Sequence, residues 1–106
     1  MIITFQMAER FGSFLGDGET GNRFRCEEIQ TRLETSDVLV FDFKGVNNLT
    51  DSFCNACFAN LVTDHPDVVG EKVRFANCSP IVETFIRAAL DLGRNRAMLA
   101  GSKIGG

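Results

Sequence analysis

The sequence predicts an α/β fold, because strand-like segments alternate with amphipathic helical segments along the chain. Residues 2–7 alternate apolar and polar side chains with a period of two, as a half-buried strand does. Residues 38–43 are apolar at five of six positions, which is typical of a central strand covered on both faces. A third strand is predicted over residues 72–77. Because helical segments lie between them, the strands are expected to be parallel neighbours joined by right-handed crossovers.

The N-terminal segment adds a further strand to this prediction. Phe11 and Leu15 share one face of residues 10–15, and Ala8-Glu9 would turn the chain into a β-hairpin with residues 2–7. An antiparallel strand at this end would make the sheet mixed. The predicted architecture is therefore a small α/β sandwich, with a mixed sheet of about four strands and three helices.

Amphipathic patterning predicts the three helices, over about 22–35, 51–64 and 79–93. The second has the clearest apolar stripe, and its members are Phe53, Cys54, Cys57, Phe58, Leu61 and Val62. Gly93 suits the C-terminus of the third helix. A glycine-rich segment, 16–22, is expected to form a loop before the first.

Length and composition bound the class of protein. A chain of 106 residues predicts one domain, 1–106, and the pattern fades beyond Gly93, which predicts a flexible tail over 94–106. The net charge of −3 and the pI near 5.0 argue against nucleic acid as a partner, since binding phosphates requires a concentrated basic face. No apolar run approaches the roughly 20 residues that span a membrane. Without a signal-peptide pattern the expected location is the cytoplasm, where the four cysteines would stay reduced.

The polar loop after strand 38–43 is the strongest functional candidate. It brings Thr50, Asp51 and Ser52 to the predicted start of the second helix, where unpaired N–H groups favour an anion or a phosphorylated side chain. Open α/β sheets bind ligands beyond the carboxyl ends of their strands. The predicted partner-binding residues are therefore Asn47, Asn48, Thr50, Asp51 and Ser52. In the alternative interpretation the hydroxyls and carboxylate only cap the helix, and the asparagines only form a turn.

A Cys-x-x-Cys motif, Cys54 and Cys57, gives an alternative of a different class, a thiol-dependent redox protein. An attacking cysteine of a thioredoxin lies at a helix N-terminus, where the helix dipole lowers its pKa. Here both cysteines lie on the apolar stripe, and cysteine is a small hydrophobe that is commonly buried. The sequence therefore favours burial over redox chemistry.

Other motifs are weaker. Residues 16–21 have the Gly-x-Gly-x-x-Gly spacing of a dinucleotide-binding loop, but Asp17 and Glu19 would repel a pyrophosphate. His65 is the single imidazole, and no second paired set of ligands accompanies the cysteines for zinc. We therefore expect neither a cofactor nor a metal, and no catalytic site.

The segment from the 38–43 strand to Ser52 also resembles a known family. The segment contains, in this order, an apolar strand, Gly45-Val46, an apolar residue, a cluster of hydroxyls and a carboxylate, and an apolar helix. This pattern resembles the STAS domain, the fold of the bacterial anti-sigma factor antagonists. A STAS-like family of small bacterial proteins is a closer match over most of residues 1–92, on the pieces Phe24-Arg25, Phe41-Asp42-Phe43, Gly45-Val46, Ser52-Phe53, 72–77 and Ser79-Pro80.

The resemblance implies a regulatory role. In anti-sigma factor antagonists the cluster reads roughly Asp-Ser-Ser-Gly, and a partner kinase phosphorylates its second Ser. Thr50, Asp51, Ser52 and Phe53 take those four positions here, which implies Ser52 as the phospho-acceptor. The implied partner is a bacterial histidine-kinase-like ATPase that phosphorylates serine or threonine. The chain would then be a small STAS-like sandwich that acts as a non-catalytic, protein-binding module.

Overall fold

The structure, a computed structural model, describes residues 1–35 and 38–105, and the side chains of 1–35 and 38–100. Within these residues the strands are β1 (Ile2–Gln6), β2 (Phe14–Leu15), β3 (Val38–Asp42), β4 (Asn48–Leu49) and β5 (Val73–Ala76). Three helices in the same residues are continuous: α1 (Met7–Phe11), α4 (Pro66–Lys72) and α5 (Pro80–Gly105). The two others, α2 and α3, each contain a π-helical turn. α2 consists of Gly18–Phe24, a π-helical turn at Arg25–Ile29, and Gln30–Leu33. α3 consists of Asp51–Cys54, a π-helical turn at Asn55–Ala59, and Asn60–Asp64.

The predicted α/β class is confirmed. The main sheet has the strand order β1-β3-β5, and the short strands β2 and β4 form a second, two-stranded sheet. Every strand pair in the described residues is parallel, so the sheet is not mixed. The register aligns Phe5 with Phe41, and Phe41 with Phe75. One phenylalanine from each strand therefore belongs to a single row across the sheet.

The predicted N-terminal hairpin is wrong. Residues 7–11 form helix α1, and β2 then pairs with β4 instead of returning along β1. Ala8-Glu9 lacks the glycine or asparagine that a tight hairpin turn requires. In a helical turn, Met7 and Phe11 are four residues apart and reach the same core.

Within the described residues, the helices cover one face of the main sheet and not the other. The crossovers β1 to β3 and β3 to β5 move across the sheet in the same direction. Because connections between parallel strands are right-handed, both place their helices on the same face. On that face Leu39 and Phe41 are fully buried. On the other face Val38 and Val40 are half-buried, and Ile2 is exposed. The prediction that strand 38–43 is covered on both faces is therefore wrong.

Aromatic rings fill the space between the sheet and the helices. Phe41 lies at the centre of this cluster, with its ring centroid 5.2 Å from those of both Phe5 and Phe58. Phe24 of α2 packs edge-on against Phe5 at 5.2 Å. Phe58 is 1% exposed, which confirms that the stripe of the second predicted helix faces the sheet.

Two helix boundaries differ from the prediction. The segment expected to be a loop over 16–22 is helical from Gly18, because the Asp17 side chain caps it. The third predicted helix does not end at Gly93, since α5 continues to Gly105. Two further expectations stay predictions: that residues 94–106 are flexible, and that the chain is one domain. None of the helices in the described part of the chain is both long and apolar enough to cross a membrane.

Candidate functional site

The loop between β3 and α3 has an irregular first half held by backbone hydrogen bonds. Gly45 has a positive φ of 89°, a conformation that suits glycine. The N–H groups of Asn47 and Asn48 then donate to the Ser13 carbonyl oxygen, at 2.8 and 3.3 Å. Both asparagine side chains lie at the surface. Their backbones therefore tie the loop to the residue before β2, and the Asn48 side-chain oxygen accepts a hydrogen bond from the Leu49 N–H at 2.8 Å.

Thr50 caps α3 with its hydroxyl. The Thr50 Oγ1 accepts a hydrogen bond from the Phe53 N–H at 3.2 Å and donates one to the Gly16 carbonyl oxygen at 2.9 Å. Its backbone N–H donates to the Leu15 carbonyl at 3.0 Å. Because the hydroxyl is used twice, Thr50 locks the start of α3 onto the segment before α2.

Ser52 differs from Thr50 although it lies only two residues further on. It is the second residue of α3, its side chain is exposed, and the hydroxyl forms no hydrogen bond with the described residues. The start of α2 packs beside it, since a Cβ on Gly18 would lie 3.2 Å from the Ser52 carbonyl oxygen. Ser52 therefore presents a free hydroxyl where two helix N-termini meet.

Two carboxylates flank these helix starts. Asp51 is exposed in the first turn of α3. Asp17 accepts hydrogen bonds from the Thr20 hydroxyl at 2.8 Å and from the Glu19 N–H at 3.1 Å, and these bonds hold the pKa of Asp17 below its usual range. The sequence did not indicate that Asp17 caps a helix whose first residue, Gly18, packs beside Ser52. The Asp-Gly-x-Thr spacing of a helix cap was the signal that could have indicated it.

A second polar group lies at the carboxyl edge of the main sheet. Asp42, at the end of β3, accepts hydrogen bonds from the Asn77 amide at 2.9 Å and the Lys44 N–H at 3.0 Å. These bonds, the Asn77 amide foremost, lower the pKa of Asp42. Asn77 has a left-handed φ of 55°, a conformation in which asparagine is more common than most residues. An open cleft of about 860 Å³ lies here, also lined by Gln6 and Glu9.

The cysteines of the alternative redox hypothesis are buried. Cys54 is 1% exposed and Cys57 is 0% exposed. Burial raises the pKa of Cys54 to about 12, and it raises the pKa of Cys57 well above its usual value. Both thiols are therefore protonated near neutral pH and shielded from a substrate, which disfavours the redox hypothesis. In the described part of the chain no three His, Cys, Asp or Glu side chains are grouped to hold a metal.

Arg25 has a structural role that the sequence did not reveal. It is 8% exposed, and its Nε donates to the Ala56 carbonyl oxygen at 3.0 Å. Ala56 lies in the π-helical turn of α3, where carbonyl oxygens lose their regular helical partners. A second guanidinium nitrogen donates to Asn22 of α2. Arg25 therefore ties α2 to the irregular middle of α3.

The parallel sheet, the helices on one face and the polar loop that leads into α3 agree with the α/β architecture expected of a STAS-like domain. Residues 20–83 match the family described as a STAS-like domain of unknown function, DUF4325, and the chain belongs to that family. Neither curated proteins nor solved structures give a significant match to this chain. Membership supports a regulatory module of a generally non-catalytic class.

Proposed function

We propose that this chain is a regulatory protein-binding module whose docking surface comprises Asn47, Asn48, Thr50, Asp51 and Ser52, and that phosphorylation of Ser52 controls it. The proposed partner is a bacterial histidine-kinase-like ATPase that phosphorylates serine, in the cytoplasm. The observation that carries the proposal is the contrast between two neighbouring hydroxyls. The Thr50 hydroxyl is held in the helix cap, whereas the Ser52 hydroxyl is exposed and makes no hydrogen bond to the described residues.

A phosphate on Ser52 would change the electrostatics of this surface. It adds a charge of about −1.5 to −2 at neutral pH. The helix dipoles of α2 and α3 attract that charge at their first turns, while the flanking Asp17 and Asp51 carboxylates repel it. Because these effects oppose each other inside the fold, the larger consequence of the phosphate falls on whatever binds the surface.

A substitution separates docking from capping. Ser52→Asp places negative charge where the helix dipole favours it, so the free energy of unfolding should change by less than about 1 kcal/mol. Binding to the phosphorylating ATPase, measured by calorimetry with purified proteins, should change by about tenfold or more, near 1.4 kcal/mol. Phosphopeptide mapping after incubation with that ATPase should find phosphate on Ser52 and none on Thr50.

The matched control is Thr31→Asp. It adds the same charge to α2 at a position 13 residues from Gly18, roughly 20 Å along the helix from the start that packs beside Ser52. Binding of this variant should equal that of the native protein. If Ser52→Asp also leaves both binding and stability unchanged, Ser52 has no role in docking and the proposed switch is wrong.

A further inference from the structure

One phenylalanine is left outside the hydrophobic core. All ten phenylalanines lie in the described part of the chain, and Phe14 alone among them is exposed, at 58%. Solvent exposure of a large apolar ring gains nothing for folding. Phenylalanine, like the other aromatic residues, is enriched in the buried core of protein interfaces relative to the rest of the surface.

Phe14 belongs to the same small sheet as the proposed docking residues. It lies in β2 directly opposite Asn48 of β4. Its ring lies over Gly16, where a Cβ atom would be only 2.5 Å from the ring carbon Cε2. The Gly16 carbonyl in turn accepts the hydrogen bond from the Thr50 hydroxyl. The absence of a side chain at Gly16 thus lets the ring rest beside the cap of α3.

A small pocket opens next to the ring. Its volume is about 110 Å³, several times the roughly 30 Å³ that one water molecule occupies in the liquid. Phe11, Phe14 and Phe53 supply its aromatic walls, and Asp17 and Thr20 lie at its polar side. The surface therefore combines a projecting ring with a recess that has room for one aliphatic side chain.

Asp17, the charged side chain that lines the pocket, is acidic, and Arg23 lies near enough to act weakly on its charge. Asp17 and Asp51 form no ion pair with any residue in the described part of the chain. The hydrogen bonds from Thr20 and Glu19 keep the Asp17 carboxyl ionised. A binding surface with a basic side chain at this point would therefore match it in charge.

We propose that Phe14 is the apolar anchor of the docking surface, and that the partner is a protein which places an aliphatic side chain in the pocket beside Phe14 and a basic side chain against Asp17 and Asp51. This inference rests on the proposed function, because it specifies how the same surface is bound. A central aromatic residue with a polar rim is the usual arrangement of an interface hot spot. Asn48, Asp51 and Ser52 would form that rim.

Site-specific crosslinking tests the anchor in cells. The photoreactive analogue benzoylphenylalanine is placed at position 14, at position 48, or at position 98, where Met98 is 70% exposed on α5 and serves as the control. We expect positions 14 and 48 to crosslink to one and the same protein, and position 98 not to. A crosslink from position 14 to a second copy of this chain would overturn the proposal in favour of self-association.

Affinity for that purified protein then tests the chemistry. Phe14→Ala should weaken binding by about tenfold or more, while Met98→Ala leaves it within about twofold. Asp17→Asn keeps a good helix cap, so the fold is retained, but the variant should bind more weakly and with less dependence on salt. Thermal unfolding of each variant confirms that it is folded.

The outcomes separate this inference from the proposed function. If position 48 crosslinks and Ser52→Asp alters binding, but Phe14→Ala binds like the native protein, the anchor is wrong and the docking surface stands. If neither position 14 nor position 48 crosslinks to a partner, the anchor and the docking surface are both wrong. Unchanged affinity and salt dependence in Asp17→Asn would contradict the proposal that the partner places a basic side chain against Asp17.

Discussion

At the level of single residues, burial determines the reactivity of the cysteine thiols. Cys54 and Cys57 lie on the face of α3 that packs inward, where the charged thiolate is costly, so the pKa of each is raised. Cys26 is exposed on α2, and Cys78 is half-buried after β5. One chain thus holds thiols in three different environments, which makes their reactivity a direct measure of the fold.

We expect a thiol reagent at about pH 8 to label Cys26 rapidly in the native protein and to reach Cys54 and Cys57 only after denaturation. Cys26→Ser should remove the rapid phase and leave the slow one. Since folding raises the pKa of Cys54 from an ordinary value of 9.0 to about 12, stability should be unaffected by this group below pH 9 and fall as the pH rises above it. Rapid native labelling of either α3 cysteine would contradict the burial and restore the redox alternative.

Among the helices, α3 is the element on which the others pack, and glycines mark the crossings. A Cβ on Gly21 of α2 would lie 2.8 Å from the Phe53 carbonyl oxygen, and one on Gly93 of α5 would lie 2.5 Å from that of Ala59. At the second crossing the Thr63 hydroxyl lies within hydrogen-bonding distance of the carbonyl oxygens of Ala59 and Gly93, at 2.9 and 3.2 Å. The backbones of α3 and α5 therefore approach closely.

Gly93→Ala should destabilise the protein, although alanine is favoured over glycine in helices by about 1 kcal/mol. The added methyl group must displace the backbone of α3, and overpacking of this kind costs about 1–3 kcal/mol. The free energy of unfolding in urea measures the effect. Gly70→Ala is the control, because a Cβ at Gly70 in α4 meets no atom within 4 Å, and it should be neutral or stabilising. Equal stability of the two variants would show that α5 does not cross α3 so closely.

These helices also show where prediction from the sequence stops. The stripe of α3 was predicted correctly, because its period of three to four residues follows from burial on one face. Gly93 was predicted to end a helix, since a glycine after an apolar stripe is the ordinary C-terminal pattern. Only the position of α3 shows that Gly93 is needed for the close approach of the α5 backbone to the α3 backbone. Likewise, residues 7–11 fit a hairpin turn between two strands or a helical turn until the core is known.

For the molecule as a whole, strand order decides which surfaces are covered. The sequence predicted the three main strands and their parallel pairing, because strands and helices alternate along the chain. It also predicted the loop that carries Ser52, but not that α2 starts beside it, since that contact joins distant segments. The apolar residues Val38 and Val40 suggested cover on both faces. The order β1-β3-β5 has no reversal, so the helices in the described part of the chain accumulate on one side.

Two identical substitutions on opposite faces of the sheet test this arrangement. Val73 of β5 pairs with Leu39 and shares its helix-covered face, where Val73 is 6% exposed. Val40 of β3 lies on the other face and is only half-buried. Val73→Thr buries a hydroxyl among apolar side chains, which should cost about 1–3 kcal/mol. Val40→Thr leaves the hydroxyl near solvent and keeps a β-branched side chain suited to a strand, so it should cost less than about 1 kcal/mol. Urea unfolding of the two variants compares the faces directly. Equal and large costs would mean that the second face is covered in solution, and that the one-sided architecture argued from strand order is wrong.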